Sequence, residues 1–291
     1  MAEHQFNFQP IEFDPFAGPE IENAVPVIEP QAEIWTSCMI GGEDANRSYN
    51  ESVSLRFNGI LDYHALEKAL IDVVKRHDAL RSGFSTDGKQ LCIYKEPKLN
   101  YQISDISTSD PKQQEIQISD FLVSDACKAF DLINGPLFRV RLFKLGQEDH
   151  HLTLSAHHII CDGWSISIIM QDLSKFYSAH TKGVQAELPP APSFAEYALK
   201  QGAFQQTKEY HSTEKFWLDQ FKHEVPELEM PLSFPRPGTR TYKSRRDDYS
   251  LKPELIAAVK QMGAAAGCSF VSSMLVAFEV LLHRSEERRV G

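Results

Sequence analysis

The chain has 291 residues, 42% of them hydrophobic and 24% charged, which is enough for one large domain or two lobes around a buried core. Its 40 acidic residues against 30 basic ones give a formal net charge of −10, so nucleic acid is not an expected partner, because a phosphate backbone demands a basic surface. The five cysteines are odd in number, widely spaced and without a CxxC pair; a disulfide framework and a zinc ribbon are both excluded, and a reducing, cytoplasmic setting is expected.

Residues 1–27 read as a tail or linker, with Pro10, Pro15, Pro19 and Pro26, many acids and no sustained period. They lack the basic-then-apolar order of a signal peptide, and no apolar run in the chain approaches a bilayer span, so no membrane association is expected. A short helix opens between Pro30 and Cys38. Glu51 to Asn58 alternates apolar and polar, the period of a half-buried strand, and Gly59 ends it. Asp62 caps a helix whose Leu66, Ala69, Leu70, Val73, Val74 and His77 recur at spacings of three and four. Gly83 to Tyr94 predicts a hairpin turning at Thr86-Asp87-Gly88-Lys89, and Lys112 to Phe130 a further helix. Asn134-Gly135-Pro136 marks a turn. Leu137 to Leu145 and His151 to Ile160 then form a second hairpin around Gly146-Gln147-Glu148-Asp149. Asp162-Gly163 stops the last of these strands. The helix that follows carries Ile166, Ile169, Met170, Leu173, Phe176 and Tyr177 on one side and ends at Gly183. Beyond the rigid linker Leu188-Pro189-Pro190-Ala191-Pro192, residues 193 to 223 are helical in pattern and Pro231 to Thr241 extended. Asp248 to Leu251 is a strand; Pro253 to Ala266 and Ser269 to Arg284 are helices. Strands interleaved with helices predict an α/β or α+β fold, with a first lobe over 28–190 and the start of a second over 191–284. Residues 285–291 read as a non-native tail on a truncated frame.

The densest cluster of reactive side chains is His150 to Ser165. With the strand running to Ile160, Leu152, Leu154, Ala156 and His158 share one face, and His151, Thr153, Ser155 and His157 the other. His158 then ends an apolar row, its ring directed into the interior or a channel. Gly163 permits a sharp turn and close backbone approach, and the helix after it offers free N–H groups to negative charge. That arrangement suits acyl transfer. A neutral imidazole takes or steers a proton from an attacking amine or hydroxyl, while backbone N–H groups near Gly163 bind the oxyanion. Asp162 is either a base or a structural carboxylate paired with an arginine. A zinc site from His151, His157 and His158 is not expected, since His157 and His158 point to opposite faces. Cys161 reads as a buried structural thiol, Ser165 as a helix cap, Trp35 and Trp164 as core residues, and Lys243, Arg245 and Arg246 as solvated surface.

The run His157-His158-Ile159-Ile160-Cys161-Asp162-Gly163 resembles the H-H-x-x-x-D-G signature of the chloramphenicol acetyltransferase-like superfamily. Arg76 to Phe84 resembles the condensation-domain motif R-H-E-x-L-R-T-x-F, with aspartate for glutamate. Gln31 to Trp35 resembles A-Q-x-x-x-W, and Phe130-Asp131-Leu132 with Gly135-Pro136-Leu137 resembles F-D-L-x-x-G-P-L. Ser193 to Ala198 is loosely similar to a fourth motif, and Pro235-Arg236-Pro237 to the loop that follows it. From Glu29 to Arg284 the chain thus resembles the condensation domain of nonribosomal peptide synthetases.

The resemblance implies a two-lobe, chloramphenicol acetyltransferase-like sandwich whose second lobe is incomplete here. It implies amide-bond formation between donor and acceptor thioesters held on the 4′-phosphopantetheine arms of peptidyl and aminoacyl carrier proteins, alongside an adenylation domain. No cofactor or metal is bound directly. His158 positions or deprotonates the amine. His157 and Asp162 hold the motif, Asp162 paired with an arginine such as Arg76 or Arg81. Gly163 lends backbone near the reacting carbonyl, and Trp164 supports the site. Two other readings stay open: acyl transfer from coenzyme A or a carrier to a free hydroxyl or amine, and an inactive fragment or non-catalytic interaction module. The resemblance also implies a tunnel between the two lobes; left incomplete, it excludes water poorly, so the 291-residue chain by itself is expected to be inactive or poorly soluble.

Overall fold

The computed structural model describes residues 18–223, 234–235, 237–238, 240–242, 244 and 249–287. In chain order it contains β1 (Ile21–Pro26), α1 (Glu29–Ser48), β2 (Asn50–Asn58), α2 (Tyr63–Arg76), a 3-10 turn (Asp78–Arg81), β3 (Ser82–Phe84), β4 (Gln90–Tyr94), β5 (Asn100–Asp105) and α3 (Pro111–Ala126). There follow β6 (Phe138–Lys144), β7 (Asp149–His157), α4 (Gly163–Lys182), α5 (Phe194–Phe204), α6 (Lys208–Gln220), α7 (Pro253–Ala265) and α8 (Phe270–Glu287). The strands make two sheets, ordered β1-β4-β3 and β2-β7-β6-β5, antiparallel throughout except for the β5–β6 pair. The mixed α/β class read from the interleaved pattern is therefore the one found. No single helix among the described residues is long and apolar enough to cross a membrane.

The strongest local signals in the sequence form as expected. Asp62 caps α2 by accepting the Ala65 N–H at 3.0 Å, and the stripe Leu66, Ala69, Leu70, Val73 and Val74 is buried. Each buried Leu or Val among them contributes about 1.5–3 kcal/mol by leaving water. One core cluster joins this stripe to Leu142 of β6, to Leu152, Leu154 and Ala156 of β7, and to Ile166, Ile169 and Leu173 of α4. The hairpin β3–β4 turns at Gly88, whose φ of 69° suits glycine; a Cβ there would lie 2.1 Å from Trp35 Nε1. Trp35 is accordingly a core residue.

Several expectations are corrected. The tail does not extend to residue 27, because Ile21–Pro26 is a strand paired with β4 from Ile21↔Tyr94 to Pro26↔Gln90. It lies at a sheet edge, where proline's missing N–H is tolerated. The first helix runs on to Ser48, through a kink at Gly42. α3 stops at Ala126, and Phe130 is buried in the core instead of ending a helix. β5 was not foreseen; Tyr101 and Ile103 give only a weak alternation. β7 ends at His157 and not at Ile160.

The chain divides into two units, Met1–Tyr210 and His211–Gly291, not at residue 190. α5 belongs to the first unit, packed on β1 and the 3-10 turn. Ser193 Oγ donates to Asp78 Oδ2 at 2.8 Å, and the Gln205 side chain donates to Glu29 at 2.9 Å. In the second unit, Tyr249–Leu251 is not a strand, and residues 285–287 continue α8. Asp248, Arg236, Lys243, Arg245, Arg246, most of the extended 231–241 stretch and residues 288–291 lie outside the described residues.

Candidate active site

The motif occupies the passage from the end of β7 to the start of α4. His157 is the last strand residue and is fully buried. Its Nδ1 accepts the Ile159 N–H at 3.2 Å, so Nε2 carries the proton and donates to the Asn46 carbonyl, also at 3.2 Å. The Tyr49 and Phe130 rings flank it, with centroids 5.9 and 6.0 Å away. Burial lowers its pKa to about 4, with the charges of His158 and Arg139 acting in the same direction against the Asn46 carbonyl, so the ring is neutral near pH 7. Nε2 ties the turn to the end of α1, and Nδ1 holds the turn itself through Ile159.

His158 is placed otherwise than the strand alternation predicts. Because β7 stops one residue earlier, the period of two does not reach it, and its ring does not continue the apolar row. Its backbone N–H still bonds the Tyr49 carbonyl at 2.9 Å, but the side chain is 43% exposed. Nε2 lies 3.1 Å from Glu51 Oε2. This is a close contact only: the angle is not that of a hydrogen bond, and Oε2, although shielded from water, accepts none. Glu51 is the site residue that sequence reasoning missed. It reads as an ordinary polar position of a half-buried strand, and only the β2–β7 register, which sets it opposite Ala156, brings it to the motif.

Asp162 caps α4. Its carboxylate accepts the Ser165 N–H at 2.8 Å and the Ser165 hydroxyl at 2.7 Å. The Ser165 hydroxyl, then its backbone N–H, hold the carboxyl below its ordinary range. The expected partnership with Arg76 or Arg81 is absent. Arg76 Nε lies 2.9 Å from Asp172 Oδ2, which His77 Nε2 also meets at 2.9 Å, and its other end donates to the Pro189 carbonyl. Arg81 pairs with Asp78 at 2.8 Å and with Glu22. Physically, Asp162 has its donors from its own helix turn, and each arginine meets a nearer carboxylate. Arg76 thus braces α2 on α4, and Arg81 braces the 3-10 turn.

Gly163 begins α4 with no positive φ, so the turn itself does not require glycine. A Cβ there would meet only Glu51 Oε1, at 3.8 Å. What glycine leaves is open backbone beside Glu51. With Ser165 N–H taken by Asp162 and Ile166 N–H by the Asp162 carbonyl, the first-turn N–H groups of Gly163 and Trp164 remain for a ligand. Trp164 is not a core residue: it is 80% exposed, on the face of α4 away from Ile166, Ile169 and Leu173. Cys161 is buried, and burial pushes its thiol up to about 12, so it supplies no thiolate at neutral pH. Among the described residues, no group of three His, Cys, Asp or Glu side chains is placed to hold a metal.

The family model described as the condensation domain matches residues 21–289. Tyrocidine synthase 2 of Brevibacillus parabrevis is 30% identical over 268 residues, covering 90% of this chain and 7% of that protein. Phosphinothricin tripeptide synthetase of Streptomyces viridochromogenes is 29% identical over 269 residues, covering 91% of this chain and 25% of that one. Among solved structures, the first condensation domain of the calcium-dependent antibiotic synthetase, in complex with a substrate analogue, matches with a TM-score of 0.76 at 20% identity. That match covers 91% of this chain and 62% of the other. The chain spans less than two thirds of each of these proteins, and the structural likeness is one of fold.

Proposed function

We propose, from the premise that this chain belongs to the condensation-domain family, that it forms an amide bond between an acyl donor thioester and an amine acceptor in nonribosomal peptide synthesis. The fold is chloramphenicol acetyltransferase-like, as the match to a solved condensation domain requires. The observation that carries the reading is the His158 imidazole, half-exposed beside the open backbone of Gly163, on a turn whose other polar members are engaged in holding it.

The amine attacks the donor carbonyl, and the imidazole receives or steers its proton. The N–H groups at the start of α4 face the oxyanion as it develops. The C–N bond forms, the C–S bond breaks, and the departing sulfur takes up a proton. No ATP or metal is needed, because the thioester is already activated. Both substrates ride on 4′-phosphopantetheine arms of carrier proteins, with an adenylation domain loading them. The reaction takes place in the cytoplasm, where the five free thiols stay reduced.

The test is His158→Ala in the synthetase that carries this chain, with both carriers loaded. Condensation product should fall by about 10²- to 10⁴-fold. Undiminished product overturns the proposal.

A further inference from the structure

Beside the motif, β2 brings a second ionisable group to the place where the amine must react. We propose that Glu51 is a substrate-binding residue of this site: its carboxylate receives the acceptor's ammonium and then stabilises the His158 imidazolium formed when the proton moves. The inference rests on the amide-forming reading and deepens it by naming the group that selects a protonated amine.

Four observations carry it. The β2–β7 register sets Asn50 opposite His157 and Glu51 opposite Ala156, so the carboxylate overhangs the strand exit on a rigid element. Oε2 lies 3.1 Å from His158 Nε2 and is shielded from water, yet accepts no well-formed hydrogen bond. An acceptor in that condition is costly unless a donor arrives; for Oε2 that donor is the neighbouring imidazole once it is protonated, and the ammonium is left to Oε1. Oε1 faces the open space over Gly163, 3.8 Å from where a Cβ would stand. Finally, the arginines nearest in the sheet are committed elsewhere, Arg56 to Asp149 and Arg139 to Asp125, so no described guanidinium neutralises Glu51. The Asp162 carboxylate adds a second acidic group at the mouth of the site, a pairing that draws a cation.

The step balances. The acceptor R–NH3⁺ is held by Glu51, gives one proton to His158 and attacks the donor thioester. The C–N bond forms and the C–S bond breaks. A second proton from nitrogen reaches the thiolate, leaving amide and thiol, and the imidazolium returns the first proton to solvent.

The experiment uses the synthetase that carries this chain, with Glu51→Gln, Glu51→Asp and His158→Ala compared. Binding is measured with an aminoacyl-pantetheine in which an amide replaces the thioester, and with its desamino counterpart. Glu51→Gln should weaken binding of the amino compound about 10- to 100-fold and leave the desamino compound unchanged, and the KM for the acceptor should rise by a similar factor. Glu51→Asp, which keeps the charge, should recover part of both, and it is the variant read if thermal unfolding shows that Glu51→Gln does not fold. Equal effects on both compounds, or none, overturn the proposal. His158→Ala separates the two readings: if it abolishes product while Glu51→Gln changes nothing, only the role of Glu51 fails; if it leaves product intact, the amide-forming reading fails first.

Discussion

His157 and His158 are adjacent in the chain, yet the inner side of their turn and the outer side differ in kind. Inside, His157 gives one ring nitrogen to the Asn46 carbonyl and the other to Ile159, beneath Phe130. Arg139 stacks on the Phe130 ring at 4.0 Å and meets Asp125, which also accepts the Ser155 hydroxyl at 2.6 Å. Outside, the His158 and Glu51 side chains face each other partly exposed. Stability is concentrated on the inner side, and the chemistry proposed above falls on the outer one. Substitutions should therefore move either the unfolding curve or the turnover, and seldom both.

The largest loss of stability should come from the buried ion pair. Arg139 Nε sits 2.6 Å from Asp125 Oδ1, off the line of a hydrogen bond but within close charge pairing, and both side chains are buried. Arg139→Ala leaves Asp125 buried without its cation and should cost about 3–5 kcal/mol in a denaturant titration. Next comes pH. The unfolded chain binds a proton at His157 near the ordinary imidazole value, whereas burial holds the folded ring to about 4. Between those values the unfolded state carries more protons, so stability is lost as pH falls from about 6.5 toward 4, by on the order of 3 kcal/mol. Burial lowers His150 and His151 in the same direction. His157→Gln should flatten the slope of unfolding free energy over that window; an unchanged slope would refute the assignment. Smaller still is Asp162→Ala, which removes the α4 cap and should cost about 0.5–2 kcal/mol by thermal unfolding. Smallest is His158→Ala, expected within about 0.5 kcal/mol of the parent even where the proposed loss of product is found. Should it destabilise as much as the lost cap, the division between the two sides does not hold.

Legibility in the sequence follows the same division between local and distant causes. The α2 cap and stripe, the Gly88 turn and the apolar face of α4 rest on interactions a few residues long, and each is readable from spacing. The motif residues His157 to Gly163 are contiguous, so the sequence alone places them on one turn. What escaped depended on strand partners. β1 hides among prolines and acids until β4 pairs with it, and β5 is an edge strand with a thin alternation. Glu51 gains meaning only through register. The partner of Asp162 was sought at a distance when three residues of local chain already supplied it. Trp164, expected in the core, is sent to solvent by its angular place on α4.

The return of α5 onto the first unit bears on how such chains can be cut and recombined. A seam placed in the proline-rich stretch near residue 190 would separate Ser193 from Asp78 and strip a flank from β1. Crossovers after Tyr210 keep that strap with the body it fastens, and grafts between members of the family made there should inherit the first unit whole.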